Sequence, residues 1–234
     1  MLGELGPPNF GVRMTNAVTR SDGLAARLRA ATREEHERTE QAPFIDALMG
    51  GRLDRSAYTA LLAQSYLFYR VLEEAGETWR GDREIGSFVS DALVRGPALE
   101  ADLAWLTGED WRTGLEPLPA TRRYIDRIRE VGFSSRSAFV AHHYTRYLGD
   151  LSGGQIIRHK LRAIYGLTGD GVRFYTFDEI ERPKRFKDAY RAMLDETQWD
   201  AGEQTALIAE ANEAFRLNRG VFDDLAVAVG VRTA

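Results

Sequence analysis

Chemistry in this chain has to come from few residue types. The 234 residues include no cysteine and four histidines, His36, His142, His143 and His159, which excludes disulfides, thiolate nucleophiles, iron–sulfur clusters and cysteine-held zinc together. A metal must therefore sit on His, carboxylate or Tyr. His36 lies at the edge of a helical stripe with Leu24, Leu28, Thr32, Glu35 and Thr39, the place of a ligand aimed into an apolar cleft and equally of an ordinary boundary histidine. A di-iron carboxylate site would put Glu three residues before each ligating His. Arg33, Phe139, Val140 and Ile156 stand there instead.

A second signal is the run AFVAHHYTRYLGDLSGGQIIRHKLRAIY. It has helical periodicity, yet it carries Gly149, Gly153 and Gly154, each costing about 1 kcal/mol relative to Ala inside a helix. Gly149 and Gly153 are four apart, so two bare backbone patches share one face, open to a flat ligand or to a second helix. Tyr144, Thr145, Arg146, Asp150 and Ser152 around them favour the ligand, because a carboxylate beside bare backbone suits a site better than a packing seam.

These residues need helices to position them. Residues 1–20 hold a Pro-Pro pair and no helical period, which predicts a mobile arm, and residues 21–230 predict a single all-α domain. Ser21 or Asp22 caps a first helix running past His36. Pro43 starts a short helix to Met49, Gly50-Gly51 breaks it, and Asp54 caps a long helix bearing Tyr58, Leu61, Leu62, Ser65, Tyr69 and Leu72. Helices follow at Pro97–Leu106 and Pro119–Glu130. Ser134 or Ser135 then caps a long segment that ends at Tyr165–Gly166. An extended stretch is expected at Arg173–Phe177, with closing helices near Pro183–Thr197 and Asp200–Val229.

Composition narrows the partners. With 31 basic against 35 acidic residues and a formal charge of -4, no global positive field exists to hold nucleic acid. No apolar run reaches the roughly 20 residues of a membrane helix, and no secretory leader is apparent, so the expectation is a cytoplasmic protein without a membrane anchor. A dinucleotide-binding G-x-G-x-x-G motif is missing as well.

The run AHHYTRYLGDLSGGQ resembles the signature of haem oxygenases, and TREEHERTE, FKDAYR and AFRLN resemble further segments of that family in the same order. The resemblance spans about residues 22–225. It implies an all-α fold that sandwiches haem b, both substrate and cofactor, between the first helix and the glycine-bearing helix. His36 would be the axial iron ligand, and Glu40 would orient and polarise its ring. Asp150, supported by Arg146 and Asn218, would hold and protonate oxygen through ordered water, with Gly149 and Gly153 leaving room for it. Tyr144, Lys187, Arg191, Arg29 and Arg33 would form a rim for the propionates, and Phe215 would line the pocket. His142 is expected to make a structural hydrogen bond, His143 has no haem role, and His159 belongs on the surface. The implied activity is O2-dependent opening of haem to biliverdin, in its IXα form, carbon monoxide and ferrous iron. Electrons would come from a ferredoxin or flavoprotein reductase. The alternative is a haem carrier without turnover.

Overall fold

The structure, a computed structural model, describes residues 23–231; the expected arm and the caps Ser21 and Asp22 lie outside them. Among the described residues every regular element is helical: α1 Leu24–Ala31, α2 Arg33–Glu40, α3 Pro43–Met49, α4 Arg55–Trp79, α5 Gly96–Thr107, α6 Pro119–Arg127, α7 Arg136–His143, α8 Gly149–Tyr165, α9 Pro183–Glu196 and α10 Ala201–Ala228. Local chemistry sets most boundaries. Asp54 Oδ1 accepts from the N–H groups of Ser56 (2.9 Å) and Ala57 (3.2 Å), Ser135 Oγ from that of Ala138 (3.3 Å), and Asp200 and Glu203 form a reciprocal capping box. Gly166 ends α8 at φ +66°, a left-handed conformation that glycine adopts without cost.

Four sequence expectations need correction. The first helix is two, broken at Thr32, whose Oγ1 donates to the Leu28 carbonyl (2.9 Å) and bends the chain by that back-bond. α6 stops at Arg127 and continues as a wider π-type turn, Ile128–Gly132. The long segment from Ser135 to Tyr165 is likewise split, α7 and α8 being joined by a π-type turn over Tyr144–Leu148. Arg173–Phe177 is not extended: Arg173–Tyr175 forms a single 3-10 turn, because the buried Asp102 carboxylate gathers main-chain N–H groups from Gly171, Arg173 and Phe174.

One apolar core joins these helices. α10 lies against α7, α6, α2 and α3, while α4 packs on α5 and α6. Tyr58, Tyr69, Tyr124, Phe68, Phe139 and Phe174 are fully buried in it. Two of the histidines serve this core. His142 Nε2 lies 3.0 Å from Glu210 Oε1, as expected of a structural hydrogen bond, and Glu210 also accepts from Arg127 Nε (3.0 Å) and Nη2 (2.6 Å). Burial opposes the Glu210 charge, but the bonds from His142 and Arg127 outweigh it and hold the carboxyl down to about 2. His143 Nδ1 is 2.9 Å from Tyr190 Oη, and burial holds its imidazole down to about 3.

The two depressed values act in different pH windows. The unfolded chain protonates His143 near pH 6.5, so its contribution is full above that and is lost as pH falls toward 3. Glu210 contributes fully above 4.5 and loses it toward 2. In urea unfolding, the stability advantage of wild type over His143→Phe should shrink between about pH 6.5 and 5 by up to roughly 1.4 kcal/mol per pH unit. The advantage over Glu210→Gln should stay flat there. Parallel curves for wild type and His143→Phe would show that the imidazole is not held neutral by the fold.

Candidate active site

A cleft of about 370 Å³ separates α2 from α8. His36, Thr39 and Glu40 line one side; Gly149, Asp150, Gly153, Gly154, Ile156 and Ile157 line the other; Leu61, Phe68, Phe215, Val221 and Phe222 from α4 and α10, with Phe174 and Tyr175, close it. The α2 wall is tied to α10 by Arg219 Nη1 on Glu35 (3.0 Å) and by Thr39 Oγ1 on the Phe215 carbonyl (3.5 Å).

The glycines answer the question left by their spacing. A Cβ added at Gly149 or Gly153 would meet nothing within 4 Å, so no helix packs there and the bare backbone faces the cleft. At Gly154 a Cβ would lie 3.0 Å from the Tyr175 ring, so close packing requires that glycine.

Across from them, the His36 side chain is 46% exposed, its ring edge-on to Phe215 at 5.6 Å. Its Nδ1 is 3.6 Å from Glu40 Oε2, an electrostatic approach and not a hydrogen bond. Among the described residues no hydrogen bond occupies its ring nitrogens.

Behind the glycine wall lies a buried polar network. Asp150 Oδ2 accepts a short hydrogen bond from the Tyr69 hydroxyl. Arg146 Nε donates to the same phenol oxygen (3.1 Å), Nη1 donates to Asn218 Oδ1 (2.6 Å), and Nη2 stands 3.6 Å from Asp150 Oδ1. The guanidinium also sits 5.2 Å from the Phe68 and Tyr69 rings. Burial pushes the Asp150 carboxyl up, opposed by Arg146 and by the Tyr69 bond. Burial likewise drives the Tyr69 phenol well above its ordinary value. Burial works against the Arg146 charge too, yet Tyr69 and Asp150 hold the guanidinium above its usual range.

The expected rim divides. Lys187 Nζ donates to Ser152 Oγ (2.9 Å), a cleft residue, which puts that cation at the mouth. Arg191, paired with Asp188 (3.1 Å), lies near Tyr144, as does Arg29; both cations counter the rise that burial imposes on its phenol. Arg33 stands apart, its side chain 80% exposed and 3.8 Å from Glu37. His159 is exposed. Sequence reasoning missed Tyr69, Phe174 and Tyr175. The signal for Tyr69 was present: a phenol on the buried stripe of α4 needs a partner for its hydroxyl.

An imidazole without a hydrogen bond among the described residues, bare backbone opposite it, apolar walls and Lys187 at the mouth characterise the cleft of this all-helical protein, which is open to a flat, largely apolar ligand. The comparisons agree. A sequence model of the family described as "Heme oxygenase" matches residues 22–224. The heme oxygenase of Rhodella violacea is 37% identical over 203 residues, 86% of each chain, and heme oxygenase 1 of Nostoc sp. is 36% identical over 206 residues, 88% of this chain and 87% of its own. The crystal structure of heme oxygenase-1 from Synechocystis sp. PCC6803 in complex with heme matches with a TM-score of 0.83 at 32% identity, covering 90% of this chain and 97% of that one. This chain belongs to the haem oxygenase family, and it is a haem-degrading oxygenase.

If Gly149 and Gly153 serve a ligand and not packing, filling them should not destabilise the haem-free protein. Thermal unfolding of Gly149→Ala and Gly153→Ala should show unchanged or raised stability, by up to about 1 kcal/mol. Gly154→Ala should rank below both. Destabilisation by the first two would return them to a packing role.

Proposed function

We propose that the chain opens haem to biliverdin, in its IXα form, carbon monoxide and ferrous iron, with O2 as oxidant; His36 would hold the iron and Asp150 would be the proton-handling group. The observation that carries this reading is the opposition across one cleft of an imidazole without a hydrogen bond among the described residues and a glycine backbone with a buried carboxylate behind it. Bound haem supplies both the ring to be opened and the iron at which dioxygen is reduced. Glu40 beside Nδ1 favours the tautomer with its proton there, leaving the Nε2 lone pair for a metal. The Tyr69 hydroxyl bonds Asp150 Oδ2 and the Arg146 guanidinium stands 3.6 Å from Oδ1, an arrangement that orients the carboxylate to act through cleft water rather than as a ligand. Raised by burial, it is a better proton donor near neutrality than an exposed aspartate. Gly149 and Gly153 keep the cleft face opposite His36 free of side chains, where bound haem would need room. Lys187, Arg191, Arg29 and Tyr144 receive the propionates, with Arg33 adding only long-range charge.

Among the described residues no helix is long and apolar enough to cross a membrane, and we place the enzyme in the cytoplasm, residues 21–230 working as one domain. The chain has no nucleotide-binding motif of its own, so its electrons come from a ferredoxin or flavoprotein reductase.

The test is hemin binding followed by ascorbate, or a ferredoxin system, in air with a carbon monoxide trap. Loss of the haem spectrum with release of a green pigment and carbon monoxide is expected; a persistent haem spectrum would overturn the proposal. His36→Ala should lose the native axial-ligand spectrum. Asp150→Ala should slow biliverdin formation by about 100-fold while haem still binds, and Tyr69→Phe should fall between that variant and wild type. An undiminished biliverdin yield from Asp150→Ala would remove Asp150 from its role.

A further inference from the structure

The back of the cleft is held by buried charges that the chemistry above does not use. Asp102, fully buried on α5, accepts from the N–H groups of Gly171 (2.7 Å) and Arg173 (2.9 Å) through Oδ1 and from that of Phe174 (2.8 Å) through Oδ2. Arg95, buried just before α5, donates through Nη1 to the carbonyls of Phe174 (3.2 Å) and Thr176 (2.7 Å), and its guanidinium lies 3.8 Å over the Phe177 ring. Residue 174 is thus held at its N–H by an anion and at its carbonyl by a cation. Tyr58 Oη adds a bond to the Gly171 carbonyl (2.9 Å).

This turn presents Phe174 and Tyr175 to the cleft. Phe174 meets Tyr69, the phenol bonded to Asp150, edge-on at 5.4 Å. Tyr175 fills the space that the missing Cβ of Gly154 leaves, and its carbonyl accepts from Gln155 Nε2 (3.2 Å). Apolar packing alone would keep two aromatic rings buried, and two dry charges are expensive unless fully hydrogen-bonded. Asp102 gives all three of its bonds to the main chain of this turn, and Arg95 ties the turn to the segment before α5, Nη1 holding the Phe174 and Thr176 carbonyls while Nε donates to that of Leu93 (2.9 Å), which fixes the position of the rings more tightly than packing does.

We propose that Asp102 and Arg95 are positioning residues which, by clamping the Gly171–Thr176 turn, hold Phe174 and Tyr175 as a stop that sets how deeply haem inserts beneath α8 and which meso edge meets the oxygen. The proposal rests on the haem-cleft reading of the previous section.

The test compares Asp102→Asn, Arg95→Lys and Phe174→Leu with Asp54→Ala, a cap variant remote from the cleft. Asn replaces an acceptor with a donor against the turn, Lys lacks the rigid guanidinium whose Nε holds the Leu93 carbonyl while Nη1 holds those of Phe174 and Thr176, and Phe174→Leu keeps the clamp but removes a ring. The readouts are the haem-methyl proton resonances of the ferric complex, which report haem seating, and the biliverdin isomers formed on turnover. A second set of methyl resonances is expected in the three cleft variants, with the minor isomer rising on the order of tenfold, the factor commanded by one buried hydrogen bond. Asp54→Ala should keep a single set even where its melting temperature falls as far. One wild-type pattern throughout, or an equal change in Asp54→Ala, would overturn the clamp. If Asp102→Asn does not fold, Arg95→Lys and Phe174→Leu decide the matter. Failure of wild type to bind haem would defeat the cleft reading itself, and this proposal with it.

Discussion

A single guanidinium kept charged away from water constrains everything around the cleft. Burying an ion costs several kcal/mol unless its donors are satisfied, and Arg146 is satisfied from several directions. Asn218 on α10 takes one N–H, Tyr69 on α4 takes another, and Asp150 on α8 supplies the opposing charge. Three helices, α4, α8 and α10, are therefore cross-linked through one side chain. The π-type turn over Tyr144–Leu148 belongs to the same arrangement: its extra residue changes the register between α7 and α8 at the point where Arg146 and Asp150 must face a common network.

The glycines show where stability has been given up. Three of them in one helical segment cost about 3 kcal/mol against Ala, and only Gly154 recovers part of that within the protein, by letting Tyr175 approach. At Gly149 and Gly153 nothing in the chain occupies the freed space. A local rule broken without an internal gain is what a ligand surface looks like from the viewpoint of folding.

This explains which parts were legible in the sequence. Asp54, Ser135, Asp200 and Gly166 were readable as boundaries because capping is decided within a few residues. The break at Thr32, both π-type turns and the 3-10 turn were not: the last depends on Asp102, about seventy residues distant in the chain. The site divides in the same way. Residues on two periodic helices, His36, Glu40, Arg146, Gly149, Asp150 and Gly153, were visible from spacing and resemblance, and the structure puts all of them on the cleft. Tyr69 was passed over because a phenol on an apolar stripe reads as core, and it is core as well; its hydroxyl's need for a partner signalled more, but only the fold shows that the partner is Asp150 on α8. Arg33, placed on the rim by resemblance, is exposed beside Glu37 in the structure.

The histidines make the final distinction. His142 and His143 are adjacent and sit in the signature segment, yet His142 Nε2 is engaged by Glu210 and His143 Nδ1 by Tyr190, both deep in the core. His143 stays neutral down to about pH 3, so it holds the protonation state a metal requires and still has no route to one. His36 is the reverse case, half open to the cleft, with Glu40 near one nitrogen and the other free of any hydrogen bond among the described residues. Access to the cleft, rather than protonation state, is what separates His36 from the two buried imidazoles and what the proposed ligation rests on.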